Sequence, residues 1–487
     1  MKNKKLLTLL GILLLLCFAT LTACDKTSTS TPHDTTTSHE HIYTDIVIAP
    51  TRTEQGYTVH TCSDCGESYT DNYVRALVSE GLSYTLLRDG TCIITGLGTC
   101  TDKEIYIPEQ IEGCKVVKIA DNAFADTYKK ITFIDLPNTL TTIGEKAFYK
   151  CTGIKEITIP SSVVSIRANS FECCYNLTTI YYNSEFSHNG QPFNKIQSLE
   201  KIVFGGNTVP KDAARNVTNL KTVVILDNVT SIGAEAFYNC TNLTSVTIGN
   251  GVTKISYQAF LSCTNLKSVT LGTGLKSIAD SAFWNCYSIT NIVIPNGVTE
   301  IGDYAFAGCN ALTNLSLPSS ITTIRNGAFF GCIGLTSITI PNSVTLIGEL
   351  AFMGCHNLTS VSLPDSIEIV GDSAFSECDS LTSFTIPKNM TKIDDYMFDD
   401  CRKLTDVIIH DGITVIQADA FTDCESLKNI YYTGTADGWG TISFQKSYYD
   451  KCFESATIYY YSETQPTDEG NYWHYDINGI PTIWTQE

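Results

Sequence analysis

Two cysteines in Cys62-Ser63-Asp64-Cys65-Gly66 have the clearest capacity for chemistry in this chain. The Cys-x-x-Cys spacing lets two thiolates reach one zinc ion, and His41 and His60, with His39 beside them, are near enough in sequence to complete a tetrahedral set. Such a zinc ion is structural, because nothing in the segment implies an open coordination position. The same pair could instead close a disulfide in an oxidising compartment, or remain as thiols. Of the eight histidines, His188, His356 and His410 are far apart within the stretch 80–430. Nucleophilic catalysis needs a base beside its nucleophile, and no such pairing is suggested. There is no G-x-S-x-G, no H-E-x-x-H, no phosphate loop and no dinucleotide fingerprint. The residues therefore point away from an enzyme. Acidic residues gather at Asp372, Glu377, Asp379, Asp394, Asp395, Asp399, Asp400, Asp419 and Asp423. Without a D-x-[DN]-x-[DN]-G loop they read as a solvated edge in preference to a calcium site.

The elements that carry these residues are set by a repeat. Phe237, Phe260, Phe283, Phe306, Phe329, Phe352, Phe375, Phe398 and Phe421 are 23 residues apart, and a cysteine follows each by three, from Cys240 to Cys424. Phe148 with Cys151 and Phe171 with Cys174 extend the series upstream. Leu243, Val246 and Ile248 fit the L-x-x-L-x-L core of a leucine-rich repeat, whose period runs from 20 to 29 residues. The last two alternate as in a strand, and a Pro such as Pro295 or Pro341 then ends it. The expected fold is a β-rich repeat solenoid: a leucine-rich-repeat array of 23-residue units, with short helical or 3-10 turns on the convex side. No unit buries its apolar face alone, so stability comes from stacking neighbours. Between Tyr182 and Asn219 the Ala-Phe-x-x-Cys element lapses. Degenerate coils that still stack are the first reading, and a protruding recognition loop is the second.

Stacked equivalent positions point their Cβ atoms in parallel, whereas a disulfide needs them to converge, so the cysteine ladder reads as core filling. Cys92, Cys100 and Cys114 stand outside the ladder, and a bridge among them stays open. On the concave side, alternation turns outward Ser245, Thr247, Ser268, Thr270, Asn291, Val293, Asn314, Ser316, Ser337, Thr339, Ser360, Ser362, Ser383 and Thr385. This face is small, rich in hydroxyls and almost uncharged. It suits many weak polar contacts with protein or glycan, and lacks the Tyr, Trp and Arg anchors of tight interfaces.

The I-P-x-x-V-x-x-I-G-x-x-A-F-x-x-C pattern between successive leucines resembles the BspA-like family of bacterial surface leucine-rich-repeat proteins, over about residues 84–430. The resemblance implies a cell-surface or secreted protein with an adhesin-like role toward host matrix proteins or other bacteria. It names no ligand and supplies no catalytic residue.

The chain start reads Met1-Lys2-Asn3-Lys4-Lys5, an apolar run from Leu6 to Phe18, then Leu21-Thr22-Ala23-Cys24. This is a secretory signal, too short for a membrane span of roughly 20 residues. Leu-Thr-Ala-Cys resembles the lipobox of bacterial lipoproteins, which implies cleavage after residue 23 and a diacylglyceryl anchor on Cys24. Two chains satisfy the requirement for stable anchoring. Residues 24–38 are a Ser/Thr-rich spacer, 39–78 a small Cys-x-x-C module, 80–430 the array, and 431–487 an aromatic C-terminal cap. The 39–78 segment resembles short modules found in tandem in Firmicutes surface proteins, but Arg52 stands where those often carry a Cys. For the ending, with Trp439, Trp473 and Trp484, a sugar-binding platform is the alternative to a cap. The net charge of −19 repels phosphate backbones, so nucleic acid is excluded as a partner. The expected partners are an extracellular protein or glycan, and the membrane through the lipid. Glycan capture for nutrient uptake and a purely structural envelope role are the rival functions.

Overall fold

The computed structural model describes residues 42–49, 56–63, 66, 68–74, 78–186, 193, 195–445, 451–467 and 469–485. They belong to two compact units that divide between Arg75 and Ala76. In the first unit β1 (Tyr43–Ile48), β2 (Gly56–Cys62) and β3 (Ser68–Val74) form an antiparallel sheet with β2 in the middle.

The second unit is a β-solenoid of about 15 coils of roughly 23 residues, with almost no helix. Each coil has three sides. The first is a strand of three or four residues, such as Ser245–Ile248, whose Val246 and Ile248 are buried while Thr247 is exposed. Equivalent strands pair in parallel at a strict one-coil offset, for example Thr222↔Ser245 and Ser245↔Ser268. The second side is a two-residue strand, such as Lys254–Ile255, paired with Ser231–Ile232 and Ser277–Ile278. The apolar member of each pair points inward, as the two-residue period of a strand requires.

The third side is the Ala-Phe-x-x-Cys stretch. Its N–H groups alternate between two acceptors. Tyr238 and Cys240 bond back three residues to Glu235 O and Phe237 O, at 3.1 and 3.2 Å. Glu235, Phe237 and Asn239 instead donate to Tyr257 O, Ala259 O and Leu261 O of the next coil, at 2.8 to 2.9 Å. A helix would keep all these donors to itself, whereas here half of them tie coil to coil. The expected helical or 3-10 turn is therefore reduced to isolated i→i−3 bonds, and among the described residues a 3-10 helix forms only at Tyr128–Lys130. Alternation requires a left-handed residue twice per coil, at Glu235 (φ 55) and Asn239 (φ 57) and their equivalents. Non-glycine residues resist that conformation, so the inter-coil bonds must hold it.

The phenylalanines stack along the array. From Phe237 to Phe375 successive rings are 5.0 to 5.9 Å apart and within 16° of parallel. Each buried ring contributes about 1.5–3 kcal/mol over exposure. The cysteines are fully buried beside them. They do more than fill space: Cys263 Sγ lies 3.2 Å from Phe237 O, and Cys286 Sγ lies 3.2 Å from Phe260 O, so each thiol donates to the carbonyl of the coil before it.

The lapsed stretch still stacks. Strands Thr179–Tyr182, Lys201–Phe204 and Thr222–Ile225 pair in full register. Phe193 and Ile196 take the Phe and Cys places in one coil, Ala214 and Val217 in the next, and all four are buried. The ring missing at Ala214 is replaced from the opposite wall. Tyr182 meets Phe193 and Phe204 edge-on at 5.7 and 5.5 Å, and Phe204 meets Phe237 at 5.6 Å. Residues 187–192 and 194 of the stretch lie outside the described residues.

The array runs past residue 430. The strand Thr457–Tyr461 pairs in parallel with Asn429–Tyr432, and Phe453 stacks on Phe421 at 4.8 Å. An insertion with two short helices, Ala436–Trp439 and Lys451–Ser455, stretches that coil and hides it from the 23-residue period. Tyr472–Tyr475 and the antiparallel Pro481–Ile483 then close the edge. Trp473 is fully buried, with Nε1 donating to Tyr432 O at 2.9 Å.

Candidate binding face

Every outward position of the first sheet named from the sequence is exposed, apart from half-buried Ser245. Register aligns them into columns, with Ser268 beside Ser245, Thr270 beside Thr247, Asn314 beside Asn291, Ser360 beside Ser337, and Ser362 beside Thr339. Ser383 and Thr385 continue to Asp406 and Ile408, where the hydroxyl run ends. Ser245 Oγ donates to Thr222 Oγ1 at 3.4 Å, and Asn314 Nδ2 to Thr313 Oγ1 at 3.3 Å. The side chains of Ser268, Thr270, Ser316, Ser337, Thr339, Ser360, Ser362, Ser383 and Thr385 make no hydrogen bond with other described residues. Their donors and acceptors are free for solvent or a ligand. By contrast, the threonines one position ahead of the strand are spent on the scaffold: Thr244 and Thr405 Oγ1 donate to Lys221 O and Thr382 O, each at 3.0 Å.

The ladder of this face breaks between Asn314–Ser316 and Ser337–Thr339 and between Ser360–Ser362 and Ser383–Thr385, and it thins at one further point. Between Ser268–Thr270 and Asn291–Val293 a single pair, Ser268↔Asn291, remains in register. Further back along the array the residue after the strand donates to the coil before it, as Leu226 N does to Phe204 O at 3.0 Å. Pro295 has no N–H to give, but neither has Pro318 on the next coil, where Asn291–Val293 and Asn314–Ser316 keep three pairs. The groove between Ser268–Thr270 and Asn291–Val293 has a volume of about 580 Å³ and is lined by Lys267, Thr270, Leu271, Thr273, Asn291, Val293 and Pro295, among others. Val293 is 70% exposed, a large apolar side chain among hydroxyls. Nothing in the periodicity marked this groove, since the 23-residue spacing continues unchanged across it.

The other predicted sites separate. In the small unit His60 and Cys62 lie on one face of β2. His60 Nδ1 is 2.6 Å from Asp45 Oδ1, its cross-strand neighbour, and its ring stacks on Tyr69 at 4.6 Å. Cys62 is buried. His39, His41, Cys65 and Arg52 lie outside the described residues, as do Cys24 and the spacer. Among the described residues no three ligating side chains converge on one point. Cys92 sits opposite Val116, which places Cys114 two residues along the partner strand. Cys92, Cys100 and Cys114 are all unbridged thiols.

Electrostatics agree with an inert core. Burial pushes the thiols of the cysteine column well above their ordinary range, with Cys332 at about 12. They are neither nucleophiles nor metal ligands at neutral pH. Burial, followed by repulsion from neighbouring acids, raises the carboxyls of Asp395 and Asp399. Asp394, also raised by burial, pairs with Lys392.

The family model for the BspA type leucine rich repeat region matches residues 117–243, 207–336 and 322–450, in six copies. A leucine-rich-repeat protein from Bacteroides ovatus is 26% identical, with 79% of this chain and 99% of that one covered and a TM-score of 0.51. A leucine rich cell surface protein from Faecalibacterium prausnitzii is 27% identical over 79% of this chain and 100% of the other, with a TM-score of 0.37. No curated protein matches.

Proposed function

We propose that this chain, which belongs to the BspA type leucine rich repeat family, is a non-catalytic binding module displayed outside the cell, with the strand side of its array as the recognising surface. The observation that carries the reading is the aligned field of hydroxyls at Ser268, Thr270, Ser337, Thr339, Ser360, Ser362, Ser383 and Thr385, exposed and unengaged by the fold. A rigid solenoid holds these groups at a constant spacing, so a partner with repeating polar groups meets them without ordering cost on this side. Protein and glycan both offer such groups.

Individual contacts of this kind are weak, and affinity grows when many copies share a surface. That is the use of a lipid on Cys24 with a spacer over residues 25–38: copies held on one membrane engage one target together. Enzymatic function is not part of this reading, because the histidines and thiols of the array are dispersed or buried. Binding of the purified chain to immobilised matrix proteins and a glycan panel tests it. Retention that falls on substitution of Thr339→Arg with Ser362→Arg supports the reading; no binding above background to any member of the panel ends it.

A further inference from the structure

The anchors that the strand side lacks are on the turn side. One residue after each core phenylalanine, the chain carries Trp284, Ala307, Phe330 and Met353 on successive coils. The coils are held edge to edge there: Asn285 N donates to Ala307 O at 2.8 Å, Gly308 N to Phe330 O at 2.6 Å, and Gly331 N to Met353 O at 2.8 Å. Trp284, Phe330 and Met353 are half-buried, and Tyr304 lies on Trp284 with ring centroids 5.6 Å apart. A second row runs parallel, with Tyr287 44% and Ile333 38% exposed. Between the rows the chain backbone forms the floor, because Gly308, Gly331 and Gly354 occupy the left-handed position at φ 68, 65 and 73.

The same lane becomes acidic as the coils proceed. The place of Gly354 is taken by Glu377, Asp400 and Asp423 in turn. Glu377 Oε2 stands 3.9 Å from where a Cβ on Gly354 would be. Residues 367–425 hold thirteen acidic side chains against four basic ones. Arg402 is held by Asp400 through two hydrogen bonds at 2.7 and 2.8 Å, and Lys392 by Asp394. Among the described residues Glu377, Asp399 and Asp423 have no lysine or arginine partner, while Asp379 lies 3.0 Å from His356 Nδ1. Burial and the neighbouring Asp400 raise the Asp399 carboxyl, so its charge is held at a cost that an arriving cation would relieve.

We propose that the turn side of residues 284–354, continued by the acids at 377–423, docks a protein segment that carries lysine or arginine next to aliphatic side chains. Trp, Tyr, Phe and Met are the residues enriched in interface centres, and the acid at one end fixes the direction of a cationic partner. This surface is separate from the strand side, so the chain could hold two partners at once.

The test uses the purified chain and a labelled peptide in which lysine alternates with leucine, read by fluorescence anisotropy. Control peptides alternate glutamate with leucine, and lysine with serine. Binding of the first peptide alone is expected, and Ile333→Lys with Met353→Lys weakens it by about tenfold or more, as loss of an anchor does. Glu377→Gln with Asp423→Asn, two near-isosteric changes outside the core at a half-buried and an exposed position, should weaken it as well and flatten its salt dependence. Val293→Lys, on the strand side, leaves it unchanged. Equal binding of the lysine–serine peptide, or full affinity in both double variants, overturns the proposal, as does an equal loss in Val293→Lys. None of these outcomes depends on what the strand side recognises.

Discussion

Replacing one thiol of the cysteine column separates two reasons for its presence. Cys286 is fully buried, and its Sγ lies 3.2 Å from Phe260 O, which also accepts the Cys263 N–H at 3.2 Å. Were the thiol apolar filling alone, Cys286→Ser would cost more than Cys286→Ala, since a buried hydroxyl without a partner costs about 1–3 kcal/mol. With a carbonyl already in place to accept, serine keeps a donor and loses only the packing of the larger sulfur. Alanine loses that packing, about 1 kcal/mol, and the hydrogen bond, about another 1 kcal/mol. The expected order is wild type, then Cys286→Ser lower by about 1 kcal/mol, then Cys286→Ala lower by about 2 kcal/mol. Urea unfolding ranks the variants. Because stability in an array is a sum of neighbour terms, hydrogen exchange at the Phe283 and Cys286 amides shows where the loss falls. Serine less stable than alanine by about 1 kcal/mol or more would refute the hydrogen-bonded column.

Thiol labelling of the native chain at pH 7 should leave Cys240, Cys263, Cys286 and Cys309 unmodified until denaturant is added, since burial raises all four; rapid native labelling at any of them contradicts the packing. Ala214→Phe should destabilise by about 1–3 kcal/mol through overpacking against Phe204, while Ala214→Phe with Phe204→Ile should recover most of that in a double-mutant cycle; additive losses would show that the two side chains do not share one space. His410 is buried, its Nδ1 accepts the Gly412 N–H at 3.0 Å, and burial holds its pKa below the ordinary 6.5. The unfolded chain then takes up a proton before the folded one does, so stability falls as the pH drops through 6.5 and levels off below the folded value. His410→Asn should remove that slope from pH-dependent unfolding, and an unchanged slope would place its origin elsewhere. Cys24→Ala should release the chain from the membrane fraction, and unchanged retention would contradict the anchor.

The fold was legible because one coil repeats. The Phe and Cys columns, the inward leucines and the outward Ser/Thr positions all follow from a period of 23 and an alternation of two. What the period could not carry is what depends on neighbouring coils. The left-handed positions hold Glu235, Gln258, Tyr304 and Leu350, none of which favours that conformation by itself; the inter-coil bonds impose it. The gap at Ala214 is filled by Phe204, which is close in space and on another side of the coil. Phe453 belongs to the phenylalanine column although an insertion separates it from Phe421 by more than one period. The groove beside Val293 lies where the ladder between neighbouring coils thins to the single pair Ser268↔Asn291, which an unbroken period does not reveal. In the small unit His60 and Cys62 share one face of β2, as the alternation of a strand requires.

The strand side as recognising surface stands or falls on a direct footprint. Arginine scanning of Thr270, Thr339, Ser362 and Thr385, read against the matrix protein or glycan that the wild-type chain retains, should weaken retention at adjoining positions while Thr244→Arg, at a hydroxyl already bonded to Lys221 O, alters stability more than retention. Retention unaffected at all four outward positions, in variants that keep the wild-type unfolding transition, would contradict it.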